Sequence, residues 1–181
     1  MDPRYPLEYD PSPSDRSEAW LQYAEVYLDA IKELLSWLKD RQLGYHDYQI
    51  LPLLFLFRHY LELQLKGLIV QTGAKFRHKD HNLRELLNII KPHDDKRYLT
   101  KSPKLISQLS VLDEKSDVFR YPEDTKGKRY FQNKKNPIYE QLIRLASLEQ
   151  IIIITTKELE NLEGYFDAVK DSQNEETNSL F

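Results

Sequence analysis

The chain contains no cysteine and little glycine, and both shortages limit what it can be. With no cysteine among 181 residues, it has no disulfides, no cysteine-ligated zinc and no thiolate nucleophile. Only 5 residues are glycine, and strand-like alternation of apolar and polar residues is scarce, so helices are expected. A glycine-rich phosphate loop and the Gly-x-Ser-x-Gly nucleophile motif are also missing. These absences favour an all-α protein.

Charge and targeting signals narrow the class further. The net charge is -3 and the pI is about 6.0, so nucleic-acid binding would need a local basic patch. The first residues, Met-Asp-Pro-Arg-Tyr-Pro, lack the basic and apolar regions of a signal peptide. We therefore expect a cytoplasmic protein. No two histidines have the His-x3-His spacing of a helical metal site, and we expect neither a metal nor a cofactor.

The most informative stretch is 51–70, which is apolar except for a few charged and polar residues. An apolar run that contains Arg58, His59, Glu62 and Lys66 is unlike a membrane span. We interpret it as a buried central helix, from about 47 to 72. At about 100° per residue, these four side chains fall within one arc of roughly 100°.

This polar arc has two interpretations. The i,i+4 pairs Arg58–Glu62 and Glu62–Lys66 could form a ladder of salt bridges that fixes helix packing or a dimer seam. Alternatively, Arg58 and Lys66 could bind a phosphate, with Glu62 orienting them and His59 acting as an acid or base near neutral pH.

The remaining helices follow from apolar spacing and capping signals. Asn82 followed by Glu85 is a capping-box pattern, while Ser102-Pro103 and Asn136-Pro137 each pair an N-cap residue with proline. The predicted helices cover about 15–40, 47–72, 82–91, 102–113 and 137–169. They form an up-and-down bundle of about five helices with one long polar loop. We expect an extended arm at 1–13, one domain at 14–170 and a disordered tail at 171–181.

Three further segments could contribute to a site. His81, at the start of the third helix, could simply pack there or point at the same pocket. Arg120 and Tyr121 lie in Phe-Arg-Tyr-Pro-Glu-Asp, either as a loop anchor or as part of the pocket. The segment 126–135 has five basic residues around two aromatic ones, which suits a phosphate backbone and stacked bases but also a solvated loop.

Three stretches resemble the HEPN superfamily (higher eukaryote and prokaryote nucleotide-binding domains). Residues 57–69 resemble the second helix of that family, including its acidic residue. His81-Asn-Leu-Arg-Glu-Leu-Leu resembles the His-Asp-Leu start of the next helix. Phe119-Arg-Tyr-Pro-Glu-Asp resembles the Arg-Tyr-Pro-Asp segment of many small prokaryotic members. The resemblance covers about 50–125 and implies a helical bundle that is usually a homodimer.

The resemblance also implies alternatives for function. Family members include metal-independent ribonucleases of toxin–antitoxin and phage-defence systems, and non-catalytic partners of nucleotidyltransferases. The nucleases carry an Arg and a His a few residues apart, assembled across the dimer. In this sequence that spacing occurs between Arg41 and His46, on either side of Gly44 and earlier than in the family.

Two hypotheses follow, and we favour the first. The chain is a dimeric domain that binds RNA, a nucleotide or a protein partner such as an antitoxin or nucleotidyltransferase. In the alternative it is a divergent ribonuclease, in which His59 or His81 deprotonates the ribose and Arg58 stabilises the phosphorane with Arg120. The expected ligand-binding residues are Arg58, Glu62, Lys66, Arg120, Tyr121, Lys128 and Arg129.

Overall fold

The structure is a computed structural model that describes residues 16–40, 50–77, 81–127, 129 and 144–178. This part of the chain is helical. Its helices are α1 (Arg16–Asp40), α2 (Ile50–Gln71), α3 (Leu83–Ile90), α4 (Ser102–Leu112) and α5 (Leu145–Asn178), with a 3-10 turn at Lys91–His93. Strand pairing within the described residues is limited to one isolated antiparallel bridge, Glu123–Arg129. The predicted all-α bundle of about five helices is confirmed.

Helix α2 lies at the centre because almost its whole circumference is apolar. From Leu53 to Ile69 all but three of its residues are buried. Helix α1 packs antiparallel to it, with buried residues at spacings of three and four: Ala24, Leu28, Ile31, Leu35 and Leu38. The two helices are in close contact at Gly67, where an added Cβ would lie 2.6 Å from Cδ2 of Leu21.

Helix α5 runs beside α2 and parallel to it. A residue later in α2 contacts a residue later in α5. The Nε2 of Gln64 donates to Glu163 at 2.5 Å, and the Nε2 of Gln71 donates to Asp167 at 2.9 Å. A salt bridge of 2.7 Å joins Lys39 to Glu149. These contacts close α5 against α1 and α2 and leave α3 and α4 at one side of the bundle.

One cap prediction is confirmed and one is wrong. The Oδ1 of Asn82 accepts from the backbone N–H of Arg84 and of Glu85, as an N-cap should. The cap position of α4, however, is Lys101, and Ser102 is the first helical residue. Glu158 of α5 replaces the local cap: its carboxylate accepts from the backbone N–H groups and hydroxyls at the start of α4.

The last helix ends later than expected. Helix α5 continues to Asn178, whereas the sequence predicts an end near 169 and a disordered tail from Asp171. The extra turns are polar, and residues 171–175 are exposed. An existing helix can continue through such residues because each added residue donates a hydrogen bond to the carbonyl four positions earlier and needs no new nucleus.

Several predicted features lie outside the described residues. They include the arm at 1–13, the Arg41–His46 pair on either side of Gly44, and the Asn136-Pro137 start of the last helix. In the described part of the chain, no helix combines the length and the hydropathy that crossing a membrane requires.

A buried ion network and an exposed aromatic row

The polar arc of α2 forms a buried network around one carboxylate. Glu62 accepts from Nη1 of Arg58 at 2.9 Å and from Nζ of Lys66 at 2.8 Å. Nδ1 of His81 lies 2.8 Å from the carboxylate oxygen that Lys66 contacts. Arg58 is fully buried, and Glu62 and Lys66 are nearly so. The predicted i,i+4 ladder is therefore present, with His81 added to it.

Arg58 also anchors two other segments of the chain. Its Nη2 donates to the backbone carbonyl of His81, and its Nε donates to the carbonyl of Asp113 at 3.1 Å. All three nitrogens of the guanidinium thus donate to protein acceptors. Because none of the group reaches solvent, the structure supports the ladder interpretation of Arg58 rather than an open phosphate pocket.

The other members of the network are held with similar care. Burial alone would raise the pKa of Glu62, but hydrogen bonds from Lys66, His81 and Arg58 outweigh it and lower the pKa to about 2. The Lys66 ammonium also lies 5.3 Å from the centre of the Trp20 ring and 5.7 Å from that of Phe76. Among the four described side chains of the network, His81 is the exposed one, at 54%.

A second group of predicted residues forms a separate feature at the surface. The Arg120 guanidinium lies 5.3 Å from the ring centre of Tyr121 and 5.7 Å from that of Phe55. Phe55 stacks on His59 at 6.0 Å, and His59 meets the edge of Tyr27 at 4.5 Å. We call these five side chains the aromatic row. It runs from the loop after α4 across α2 to α1.

The aromatic row is exposed at its Arg120 and Tyr121 end. Tyr121 is 54% exposed, and Arg120 is exposed too, although its Nε donates to the carbonyl of Ser116. In the described part of the chain, no hydrogen bond or ion pair joins Arg120 to Arg58 or Glu62. The structure therefore separates Arg120 from the buried network, whereas the hypothesis of a single pocket places them together.

His59 belongs to the row and not to the ladder. Although it follows Arg58 directly, it faces Tyr27 of α1 and is half-buried. Burial lowers the pKa of His59 below 6.5; the charges of Arg58, Lys66 and Arg120 act in the same direction, and Glu62 opposes them. The lowered pKa favours the neutral imidazole, which is the form that can accept a proton.

The basic segment is described only in part. Lys126 and Arg129 are exposed at a turn that contains Gly127, whose φ is +74°. Lys128 and residues 130–143 lie outside the described residues. In the described region, no group of three His, Asp or Glu side chains is arranged to hold a metal ion.

Sequence reasoning missed Asp113, the fully buried residue that follows α4. Its Oδ1 accepts from the backbone N–H of Asp117 at 2.7 Å and of Val118 at 3.0 Å. Its Oδ2 has no hydrogen bond, although Nε of Arg58 is 3.4 Å away, because that N–H points at the Asp113 carbonyl. Burial raises the pKa of Asp113 against the pull of these amides and of Arg58. An Asp after a helix is common, so the sequence alone could not distinguish it.

Comparison with known proteins gives a match at the level of the family. No curated protein and no solved structure matches the chain. A family model described as the HEPN domain matches residues 17–148, which is well over half of the chain. The match runs from the start of α1 into α5 and includes both the buried network and the aromatic row. The chain therefore belongs to the HEPN family.

Proposed function

We propose that this chain is a homodimeric binding domain for unpaired RNA and that the aromatic row is its contact surface. The observation that carries the proposal is the exposed Arg120 guanidinium between the rings of Phe55 and Tyr121. A guanidinium beside an exposed aromatic ring offers a phosphate contact and a stacking surface at adjacent positions.

The chemistry of the row favours single strands over duplexes. Bases can stack on Tyr121 only when they are unpaired at that position, and stacking on an aromatic ring contributes about 1–3 kcal/mol per base. The protein carries a net negative charge, so attraction to a phosphate backbone must come from a local group of basic residues. Lys126 and Arg129, exposed further along the loop, add local positive charge for the flanking phosphates.

The outer side of α1 supports the dimer. Tyr23 is 49% exposed and Val26 is 56% exposed, and Ala30 follows at the next turn. These neighbouring apolar side chains would be removed from water if a second copy of the chain packed against this face. A Val26→Glu substitution should shift the protein to monomer in analytical ultracentrifugation. Ser36→Glu, on the charged side of α1, should leave the mass unchanged; equal masses for all three proteins would contradict the dimer surface.

Binding to a labelled unstructured RNA, measured by fluorescence anisotropy, tests the RNA surface. Tyr121→Ala should weaken binding about tenfold, while Tyr121→Phe, which keeps the ring, should bind as wild type does. Arg120→Ala should weaken binding and lower the slope of log affinity against log salt by about one. Lys101→Ala, which removes a positive charge at the opposite end of α4, is the control. Failure of the wild type to bind, or unchanged binding by Tyr121→Ala, would refute the proposal.

A second candidate, metal-independent RNA cleavage, is favoured by the position of His59, whose ring stacks on Phe55 while Phe55 lies against the Arg120 guanidinium. A neutral imidazole could take the proton from a ribose 2′-hydroxyl. The resulting oxygen would attack the adjacent phosphorus and release the 5′-oxygen, which takes a proton from solvent, while Arg120 stabilises the phosphorane. His81, held at Nδ1 by Glu62 with its ring half-exposed, is the alternative base.

Incubation of RNA in EDTA separates the two candidates. Cleavage that leaves 2′,3′-cyclic ends, is lost in His59→Gln and persists in His81→Gln would assign the reaction to His59. The reverse pattern would assign it to His81. If no RNA is cut while Tyr121→Ala still weakens binding, the chain is a binding domain.

A further inference from the structure

We infer that Asp113 is a positioning residue for RNA binding: its buried carboxylate holds the loop 113–121 so that Arg120 and Tyr121 are in place before RNA arrives. This inference rests on the proposed RNA surface and adds a residue that does not touch RNA. The loop 113–121 would then connect the buried network to the aromatic row.

Asp113 forms hydrogen bonds with the loop that follows it. Its Oδ1 accepts the N–H groups of Asp117 and Val118, which turns the chain back immediately after α4. The carbonyl of Asp117 then accepts the N–H groups of Arg120 and Tyr121, at 3.1 and 3.0 Å. The backbone of both proposed RNA-binding residues therefore depends on the turn that Asp113 holds.

The same loop also positions the guanidinium of Arg120. Its Nε donates to the carbonyl of Ser116, which directs the group toward Phe55. Ser116 is buried and has a φ of +60°, a conformation that non-glycine residues adopt at a cost. Its N–H is 3.4 Å from the Asp113 carbonyl. The contacts around Asp113 thus stabilise the backbone conformation that aims Arg120.

Asp113 is itself anchored to α2. The Asp113 carbonyl accepts from Nε of Arg58, and Arg58 is fixed by Glu62. Asp113 is fully buried, so the anchor is removed from water and from competing ligands. Preorganisation of this kind increases affinity because the loop and its side chains need not be ordered when the ligand binds.

A double-mutant cycle tests the inference with the same labelled RNA. Asp113→Ala should weaken binding on the order of tenfold, because the loop must then be ordered on binding. Asp113→Asn keeps an oxygen at the Oδ1 position and should restore most of the affinity. In an Arg120→Ala, Tyr121→Ala background, Asp113→Ala should have almost no further effect, since the groups that it positions are gone. Circular dichroism and urea unfolding at the assay temperature confirm that each variant is folded.

The outcomes separate this inference from the proposed function. If Arg120→Ala and Tyr121→Ala weaken binding but Asp113→Ala does not, only the positioning role is refuted. The positioning role would also be refuted if Asp113→Ala weakened RNA binding as much in the Arg120→Ala, Tyr121→Ala background as in the wild type. Equal losses of affinity in Asp113→Asn and Asp113→Ala would refute it too. If neither Arg120→Ala nor Tyr121→Ala matters, the RNA surface itself fails.

Hydrogen exchange in the wild-type protein gives a test that needs no variant. The amides of Asp117 and Val118 should be protected before RNA is added, because both donate to Asp113. Exchange at the rate of an unstructured chain would show that the loop is not held in advance, and would overturn the inference even if Asp113→Ala does not fold.

Discussion

Nη1 of Arg58 and Oε2 of Glu62 are 2.9 Å apart, one turn along α2, where Arg58 is fully buried and Glu62 nearly so. The same carboxylate serves Lys66 and His81. A buried ion pair often contributes little net stability, since desolvation offsets the attraction. Removal of one partner is different, because the remaining charges stay buried without compensation.

Glu62→Gln should therefore be strongly destabilising. The substitution keeps the shape of the side chain and removes the one carboxylate that both Arg58 and Lys66 contact. We expect the free energy of unfolding to fall by about 3–5 kcal/mol, as measured by urea denaturation. Glu160→Gln, on the exposed side of α5, should change it by less than about 0.5 kcal/mol. Equal effects of the two substitutions would mean that the network is not structural.

The lowered pKa of Glu62 predicts acid sensitivity. Its pKa is about 2 in the folded protein and 4.5 as the reference value, so the unfolded chain binds its proton at higher pH. The stabilisation is complete above pH 4.5 and is lost as the pH falls toward 2. The urea midpoint of the wild type should fall in that interval, and the difference between wild type and Glu62→Gln should shrink. A difference that does not change with pH would contradict the prediction. Asp113, whose pKa is raised, contributes to the pH dependence with the opposite sign. It is present in both proteins, so its contribution cancels in the comparison.

Glu158 should behave as the missing cap of α4. Its carboxylate accepts the backbone N–H groups of Thr100, Lys101 and Ser102, and these bonds hold its pKa below the usual value although burial opposes them. Glu158→Ala should lower the free energy of unfolding by about 1–2 kcal/mol. Lys157→Ala, its exposed neighbour, should be close to neutral, and a loss as large as that of Glu158→Ala would argue against the cap.

Two glycines inside helices should respond to alanine in opposite ways. A Cβ at Gly164 meets nothing within 4 Å, whereas a Cβ at Gly67 would meet Leu21 at 2.6 Å. Gly164→Ala should raise the free energy of unfolding by about 0.5–1 kcal/mol, because alanine favours the helix. Gly67→Ala should lower it by about 1–3 kcal/mol through overpacking. Thermal unfolding of Gly164→Ala and Gly67→Ala beside the wild type measures the sign of each stability change. Stabilisation by Gly67→Ala would show that Leu21 moves away easily.

The sequence predicted those features that depend on local spacing. The apolar periodicity of α1 and α2 placed both helices within a few residues of their ends, and the Asn82 cap depends only on its next three residues. The Arg58–Glu62–Lys66 ladder was also within reach, because i,i+4 neighbours on a helix meet whatever the rest of the fold does.

The features that it did not predict depend on distant residues or on backbone groups. Glu158 caps α4 from 56 residues away, and no local pattern reports that. His59 shares the arc of Arg58 on a helical projection, yet consecutive residues point about 100° apart, so it meets α1 instead. Arg58 binds carbonyls of positions 81 and 113, which every residue type possesses, and no side-chain pattern marks them.

The backbone bonds of Arg58 separate two roles at the ends of the α3–α4 segment. Arg58 binds the main-chain oxygens of His81 and Asp113, which remain whatever side chain stands at either position. The side chains act elsewhere: that of His81 contacts Glu62, and that of Asp113 binds the loop after α4. A substitution at position 81 or 113 can therefore remove the side-chain contact while both acceptors of Arg58 are kept.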